Sequence, residues 1–294
     1  MNRRDFVRAA GAALPLAGCA PAAVAAPGPL ATPTASRPRA ASFRHSVCRW
    51  PFGEWPLDTL CGVAADLGID SVELVQPSDA PTLAAHGLTC AMTAHPDALP
   101  DPLRKGWNRA EHHDYLVPAY REQLEATADA GWPHLIVFSG NRDGLDDAVG
   151  LETMAQGIEQ VLPDADRLGV TLCIELFNSK VDHPDYMGDS TAWGLALVER
   201  IGSPRFRILY DIYHMQIMEG DVIRTVTDHL DAFAHFHTAG VPGRHEIDES
   251  QELFYPAIMR ALDDAGFDGF VAQEFIPTGD PRAALADAIT RCSV

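Results

Sequence analysis

The chain has 294 residues, 47% of them hydrophobic, so it can bury one large core, and a single barrel domain of about 250 residues would use nearly all of it. Its formal net charge of -19 argues against a polyanionic partner, since phosphate recognition relies on Lys and Arg; nucleic acid is not an expected ligand. An anionic substrate would need local cations, either specific Arg residues or a bound metal.

The first residues read as an address. Arg3 and Arg4 precede Asp5, Phe6 and a short apolar run from Ala9 to Ala17, which resembles a twin-arginine export signal. That run is too short to remain as a membrane span, which takes about 20 apolar residues. Leu16-Ala17-Gly18-Cys19 matches the recognition box of a bacterial lipoprotein, which would tether the mature chain to a membrane through lipidated Cys19; cleavage near Ala23-Val24-Ala25 is the other reading. Residues 1–26 are assigned to the signal, 27–42 to a flexible Ala/Pro/Thr-rich linker and 43–294 to the barrel. A periplasmic or otherwise exported location follows. Such substrates cross already folded and often carry a cofactor, which suits a metal loaded in the cytoplasm. Cys48, Cys61, Cys90, Cys173 and Cys292 lack tight C-x-x-C spacing, so neither a disulfide framework nor a zinc knuckle is expected.

From Phe43 onward, short apolar, β-branched runs alternate with longer amphipathic stretches, the pattern of a parallel sheet with helical crossovers. The predicted strands are 45–49, 71–75, 88–92, 135–139, 171–176, 207–211, 234–238 and 269–274. Predicted helices cover 57–67, 115–130, 151–168, 191–201, 222–230, 254–265 and 281–289. Gly68, Gly131, Gly169, Gly202 and Gly266 fall where left-handed helix caps belong, each shortly before a strand. Eight strands, with no glycine-rich phosphate loop after any of them, favour an α/β fold of the closed (β/α)8 TIM barrel type over an open nucleotide-binding sheet. An oligomer is compatible with this pattern.

In such a barrel the chemistry sits at the C-terminal strand ends. Four consecutive predicted strands, the fifth to the eighth, end on or near Glu175, Asp211, His237 and Glu274, spaced about one β/α unit apart. Three carboxylates and an imidazole suit a divalent ion, Mg2+ or Mn2+ first, with Co2+ or Zn2+ as alternatives. Strand alternation turns Cys173, Leu209, His235 and Ala272 to the same interior face, with His235 a hydrogen-bonded residue deeper in the barrel. Glu73 ends the second strand without an assigned role.

Asp211-Ile212-Tyr213-His214-Met215-Gln216-Ile217-Met218-Glu219-Gly220-Asp221 and Ala239-Gly240-Val241-Pro242-Gly243-Arg244-His245-Glu246 closely resemble segments of hydroxypyruvate isomerases, in the xylose isomerase-like barrel superfamily. The resemblance covers essentially all of the chain after residue 43. It implies that Glu175 and Glu274 are the acid/base pair as well as metal ligands, with Asp211 and His237 completing the set. His237 departs from the pattern, because hydroxypyruvate isomerases commonly carry Gln there and related ketose epimerases carry His. The implied reaction interconverts hydroxypyruvate and 2-hydroxy-3-oxopropanoate by enediolate proton transfer between the two glutamates. The substrate is then a small hydroxy-carbonyl compound or sugar acid, with Arg244 placed to pair with its carboxylate and His214 and His245 as further binding residues. Ketose 3-epimerases and inosose-type dehydratases share the scaffold, a related multi-zinc endonuclease would call for extra histidines and a basic surface, and a noncatalytic sugar-binding protein is the reading from outside enzymology.

Overall fold

The computed structural model describes residues 41–294. The expected signal and nearly all of the expected linker lie outside the described residues. Of the linker, Ser42 is already tied to the barrel, donating to Asp263 and the Phe267 carbonyl.

Among the described residues, seven strands form one parallel, curled sheet: β1 (Arg44–Cys48), β2 (Ser71–Glu73), β3 (His134–Val137), β4 (Thr171–Glu175), β5 (Phe206–Asp211), β6 (Phe233–Thr238) and β7 (Phe270–Gln273). Their order is β2-β1-β7-β6-β5-β4-β3. The predicted strand at 88–92 does not form a regular ladder. Its segment nevertheless bridges the two sheet edges, through Thr89 to Ser71 and Thr93 to Leu135, both parallel. The physical reason is local: the Ala91 amide donates to the Ser71 hydroxyl at 2.8 Å instead of to a neighbouring backbone. The closure is TIM-barrel-like, with this irregular segment standing where an eighth strand was expected.

Strand alternation sorts the side chains into two layers. Val47, Val72, Leu135, Val137, Leu172, Ile174, Ile208, Tyr210 and Phe236 pack outward in the large core beneath the helices. Their neighbours Ile136, Cys173 and Leu209 turn inward, where they pack with Met92, Phe138, Phe177 and Tyr186 inside the barrel. This inner layer is the floor on which the site is built.

The helices are α1 (Leu57–Asp66), α2 (Ala80–Ala85), α3 (Ala110–Asp129), α4 (Asp147–Glu159), α5 (Leu162–Leu168), α6 (Thr191–Ile201), α7 (Ile212–Met218), α8 (Val222–Asp228), α9 (Tyr255–Asp264) and α10 (Pro281–Cys292). The helix predicted over 151–168 is two helices, broken before Pro163, which lies in the first turn of α5 and has no N–H to continue α4. The five glycines expected at helix ends all take left-handed φ, from 64° at Gly202 to 84° at Gly266. A residue with a β-carbon is disfavoured in that conformation.

Candidate active site

Glu175 is the last residue of β4, Asp211 the last of β5, His237 lies one residue before the end of β6, and Glu274 follows β7 directly. Glu274 was expected inside its strand, but its amide still donates to the Thr238 carbonyl at 2.9 Å, so it keeps its position beside β6. The four side chains are buried, and each offers a ligand atom within 4.8 Å of the others. His237 Nδ1 lies 3.1 Å from Glu175 Oε1 and 3.0 Å from Glu274 Oε2.

Each member of the group is held in place by the chain around it. Asp211 caps α7: its Oδ1 accepts from the amides of Tyr213 at 2.8 Å and His214 at 3.3 Å, leaving Oδ2 toward the site. The backbone of Glu175 is fixed by its carbonyl, which accepts from the Tyr186 hydroxyl at 3.1 Å. Trp50 Nε1 donates to Glu274 Oε1 at 2.7 Å. His237 Nε2 lies 2.9 Å from Glu73 Oε1, an oxygen that His235 Nε2 also approaches at 2.8 Å, while Ser46 donates to the other oxygen of Glu73. With Nε2–H given to Glu73, Nδ1 is the nitrogen that faces Glu175 and Glu274: it donates to these carboxylates while His237 is protonated, and would present its lone pair to an ion that displaced that proton.

The electrostatics suit a cation. Burial, then the neighbouring Glu274, raises the Glu175 carboxyl above its ordinary range. Burial pushes Asp211 up to about 8 against the opposing pull of Arg244. Burial would raise Glu274 as well, but the facing His237 and Arg244 outweigh it and hold it well below. Three carboxylates packed this closely share too little positive charge, and the oxygen and nitrogen donor set is one that Mg2+, Mn2+, Co2+ or Zn2+ accepts. The residues therefore fit a divalent ion. Cys48, Glu73 and His237 form a second close group, but its polar atoms are engaged with one another and with Ser46 and His235.

Arg244 stands at the mouth of this group. Its Nη2 lies 2.5 Å from Glu274 and 3.4 Å from Asp211, its guanidinium faces the rings of Trp50 and Tyr213 at 5.0 and 5.3 Å, and its Nε is buried without a hydrogen-bond partner among the described residues. The left-handed backbone at Gly243 and Arg244, φ 98° and 60°, turns the loop after β6 back over the site. Arg244, Glu175, Glu274 and Trp50 border one cavity of about 400 Å³.

The other two residues expected to bind substrate lie elsewhere. His214 is fully buried and does not border the cavity. The Asn178 carbonyl oxygen accepts from the amides of Val181 and Asp182, so its Nδ2 donates to His214 Nδ1 at 2.7 Å. His214 must then carry its proton on Nε2, which has no hydrogen-bond partner among the described residues and sits 3.5 Å from Asp211 Oδ2. His245 points away, its Nδ1 bonded to the Ile276 carbonyl at 3.0 Å. The sequence brought out Glu73 as a carboxylate at a strand end and Trp50 as an aromatic near the barrel loops without fixing what either does, and gave no signal for Asn178.

The sequence profile of the xylose isomerase-like TIM barrel family matches residues 61–292, and the chain belongs to that family. A human protein provisionally named hydroxypyruvate isomerase is 31% identical over 181 residues, 57% of this chain and 64% of its own length. The chain thus spans less than two thirds of that relative. A 2-oxo-tetronate isomerase of Pectobacterium atrosepticum is 28% identical over 238 residues, 76% of this chain and 87% of the relative. Among solved structures, one titled AP endonuclease, family 2, from Brucella melitensis superposes with a TM-score of 0.72 at 27% identity, covering 84% of this chain and 99% of that one.

Proposed function

We propose that the chain is an isomerase of small hydroxy-carbonyl compounds, passing a proton between adjacent substrate carbons by way of Glu175 and Glu274. The observation that carries this reading is the convergence of the two carboxylates on His237 Nδ1 at 3.1 and 3.0 Å, both bordering one cavity. The names of the two relatives support it, and hydroxypyruvate with 2-hydroxy-3-oxopropanoate is the first substrate pair to test.

A divalent ion held by Glu175, Asp211, His237 and Glu274 would supply electrophilic stabilisation of the negative charge that develops on the substrate oxygens. The chain's own residues do the rest. One glutamate removes the proton from the hydroxyl-bearing carbon, and the other delivers a proton to the adjacent carbonyl carbon, while a second proton passes between the two oxygens. The reverse reaction exchanges the roles. Trp50 fixes one Glu274 oxygen and the Tyr186 hydroxyl fixes the Glu175 backbone, so neither base needs to reorganise. Arg244 offers its unpartnered Nε–H to a substrate carboxylate. Epimerisation of a ketose at the carbon beside its carbonyl uses the same pair of bases. His237, where hydroxypyruvate isomerases commonly carry Gln, favours that second reading.

The test is incubation of the Mn2+-supplemented chain with hydroxypyruvate, and separately with ketoses, in deuterated water, followed by NMR. Deuterium at the carbon that accepts the proton is the expected result. Absence of exchange with every compound would remove the isomerase reading.

A further inference from the structure

We propose that the substrate of this site carries a ring or hydrocarbon tail beside its hydroxy-carbonyl head, seated on Phe177 and His183. The inference rests on the proton-transfer reading for the head alone. Its starting point is a mismatch of size. A cavity of about 400 Å³ holds on the order of a dozen waters at ~30 Å³ each, whereas a three-carbon acid bound between Glu175, Glu274 and Arg244 occupies only the polar end.

The remainder of the wall is apolar: Leu74, Ala94, Leu103, Ile136, Phe138 and Phe177. Phe177 stacks on His183 with ring centroids 4.1 Å apart and planes 14° apart, and on Phe138 at 5.6 Å and 26°. Together these rings make an aromatic stack that borders the same cavity as Glu175 and Glu274, and a substrate ring can pack against it. Leu74 is held at φ 55°, a left-handed conformation that is uncommon for leucine, by the bond from its amide to the Met92 carbonyl at 2.8 Å. The fold thus keeps a strained apolar residue in this wall.

Beyond Glu175, Glu274 and Arg244, the polar side chains of the cavity wall are Trp50, His95 and His183. Trp50 Nε1 donates to Glu274 and His95 Nδ1 lies on the Pro96 carbonyl, which leaves His95 Nε2 and the His183 ring nitrogens as the few polar atoms along a largely apolar wall. Among the described residues, the fully buried donor that borders the cavity without a partner, Arg244 Nε, belongs to the head. A polyhydroxylated tail would exchange water for a wall with few partners, at a cost for each buried hydroxyl, whereas a ring buries its face at a gain.

The experiment compares compounds that share one hydroxymethyl-ketone head: hydroxyacetone with a methyl tail, phenacyl alcohol with a phenyl tail and erythrulose with a polyol tail. Binding to the full chain in Mn2+-containing buffer is measured by calorimetry, and exchange of the head's methylene protons by NMR in deuterated water. Phenacyl alcohol should bind roughly tenfold more tightly than hydroxyacetone, or better, with erythrulose no tighter than hydroxyacetone. Ala94→Phe, which fills the chamber, should bring the phenyl-to-methyl ratio toward one. Phe177→Leu, which keeps most of the volume and removes the stack, should lower it a few-fold and guards against misfolding of the first variant. Equal affinities, tightest binding by erythrulose, or a ratio that survives both substitutions in folded protein would overturn the inference. Tail preference without exchange upholds the chamber and removes the isomerase reading; exchange without tail preference does the reverse; neither one overturns both.

Discussion

Glu73 and His237 meet inside the barrel with Oε1 2.9 Å from Nε2, and neither side chain is exposed. The same Glu73 carboxylate receives His235 and Ser46, and these partners, His235 first, outweigh burial and hold it down at about 2. A carboxylate that stays ionised in this place decides which nitrogen of His237 faces the site. Removing the charge while keeping the shape, as in Glu73→Gln, should weaken Mn2+ binding roughly 10- to 100-fold, the range found for such outer partners of ligating histidines. Calorimetric titration with Mn2+ measures this, and an unchanged affinity in a folded variant would detach Glu73 from the ion.

Arg244 and a divalent ion call on the same carboxylates. Because its guanidinium lies against Glu274 and Asp211, Arg244→Met should tighten Mn2+ binding roughly tenfold, through loss of a competing cation, while weakening binding of an acidic substrate by a similar factor. The opposite signs make the prediction specific. Parallel losses of both affinities would mean that Arg244 holds the site together and does not compete within it.

His134 opens β3, with Nδ1 on the Ala91 carbonyl at 2.8 Å. Burial, then the nearby His235, lowers it from 6.5 to about 4. The folded value lies below the unfolded one, so the unfolded chain takes up the proton first as the pH falls. The contribution of His134 to stability is therefore complete above pH 6.5 and is lost as the pH drops from 6.5 toward 4, by at most about 3 kcal/mol at 1.36 kcal/mol per unit. His45 and His214 are lowered by burial too and add to the same slope. His134→Gln should flatten part of that loss in urea unfolding followed across this range, whereas parallel profiles for the two proteins would refute the assignment.

The barrel was legible in the sequence because its signals are local. Helix-capping glycines such as Gly169 and Gly202 and the short apolar run within 171–175 each report on a few neighbouring residues. The segment at 88–93 misled because its ladder is interrupted by a side chain from another strand, Ser71, which no periodicity reveals. The four strand-end residues were legible for a related reason: fold geometry brings strand ends together whatever their separation in sequence. Glu73 was harder to place, since its role depends on which nitrogen of His237 it meets. The destinations of His214 and His245 depended on side-chain rotations, one toward Asn178 and the other toward the Ile276 carbonyl, and those are set by tertiary contacts.

The most direct measurement is deuterium incorporation from solvent into a hydroxy-carbonyl substrate by the Mn2+-loaded chain, compared with Glu175→Gln and Glu274→Gln at matched metal content. Each substitution should cut exchange by about 10²-fold or more, the contribution of a positioned acid or base, while thermal unfolding shows the barrel intact. Near-normal exchange in either variant with metal bound would contradict the assignment of the two glutamates as the proton-transferring pair.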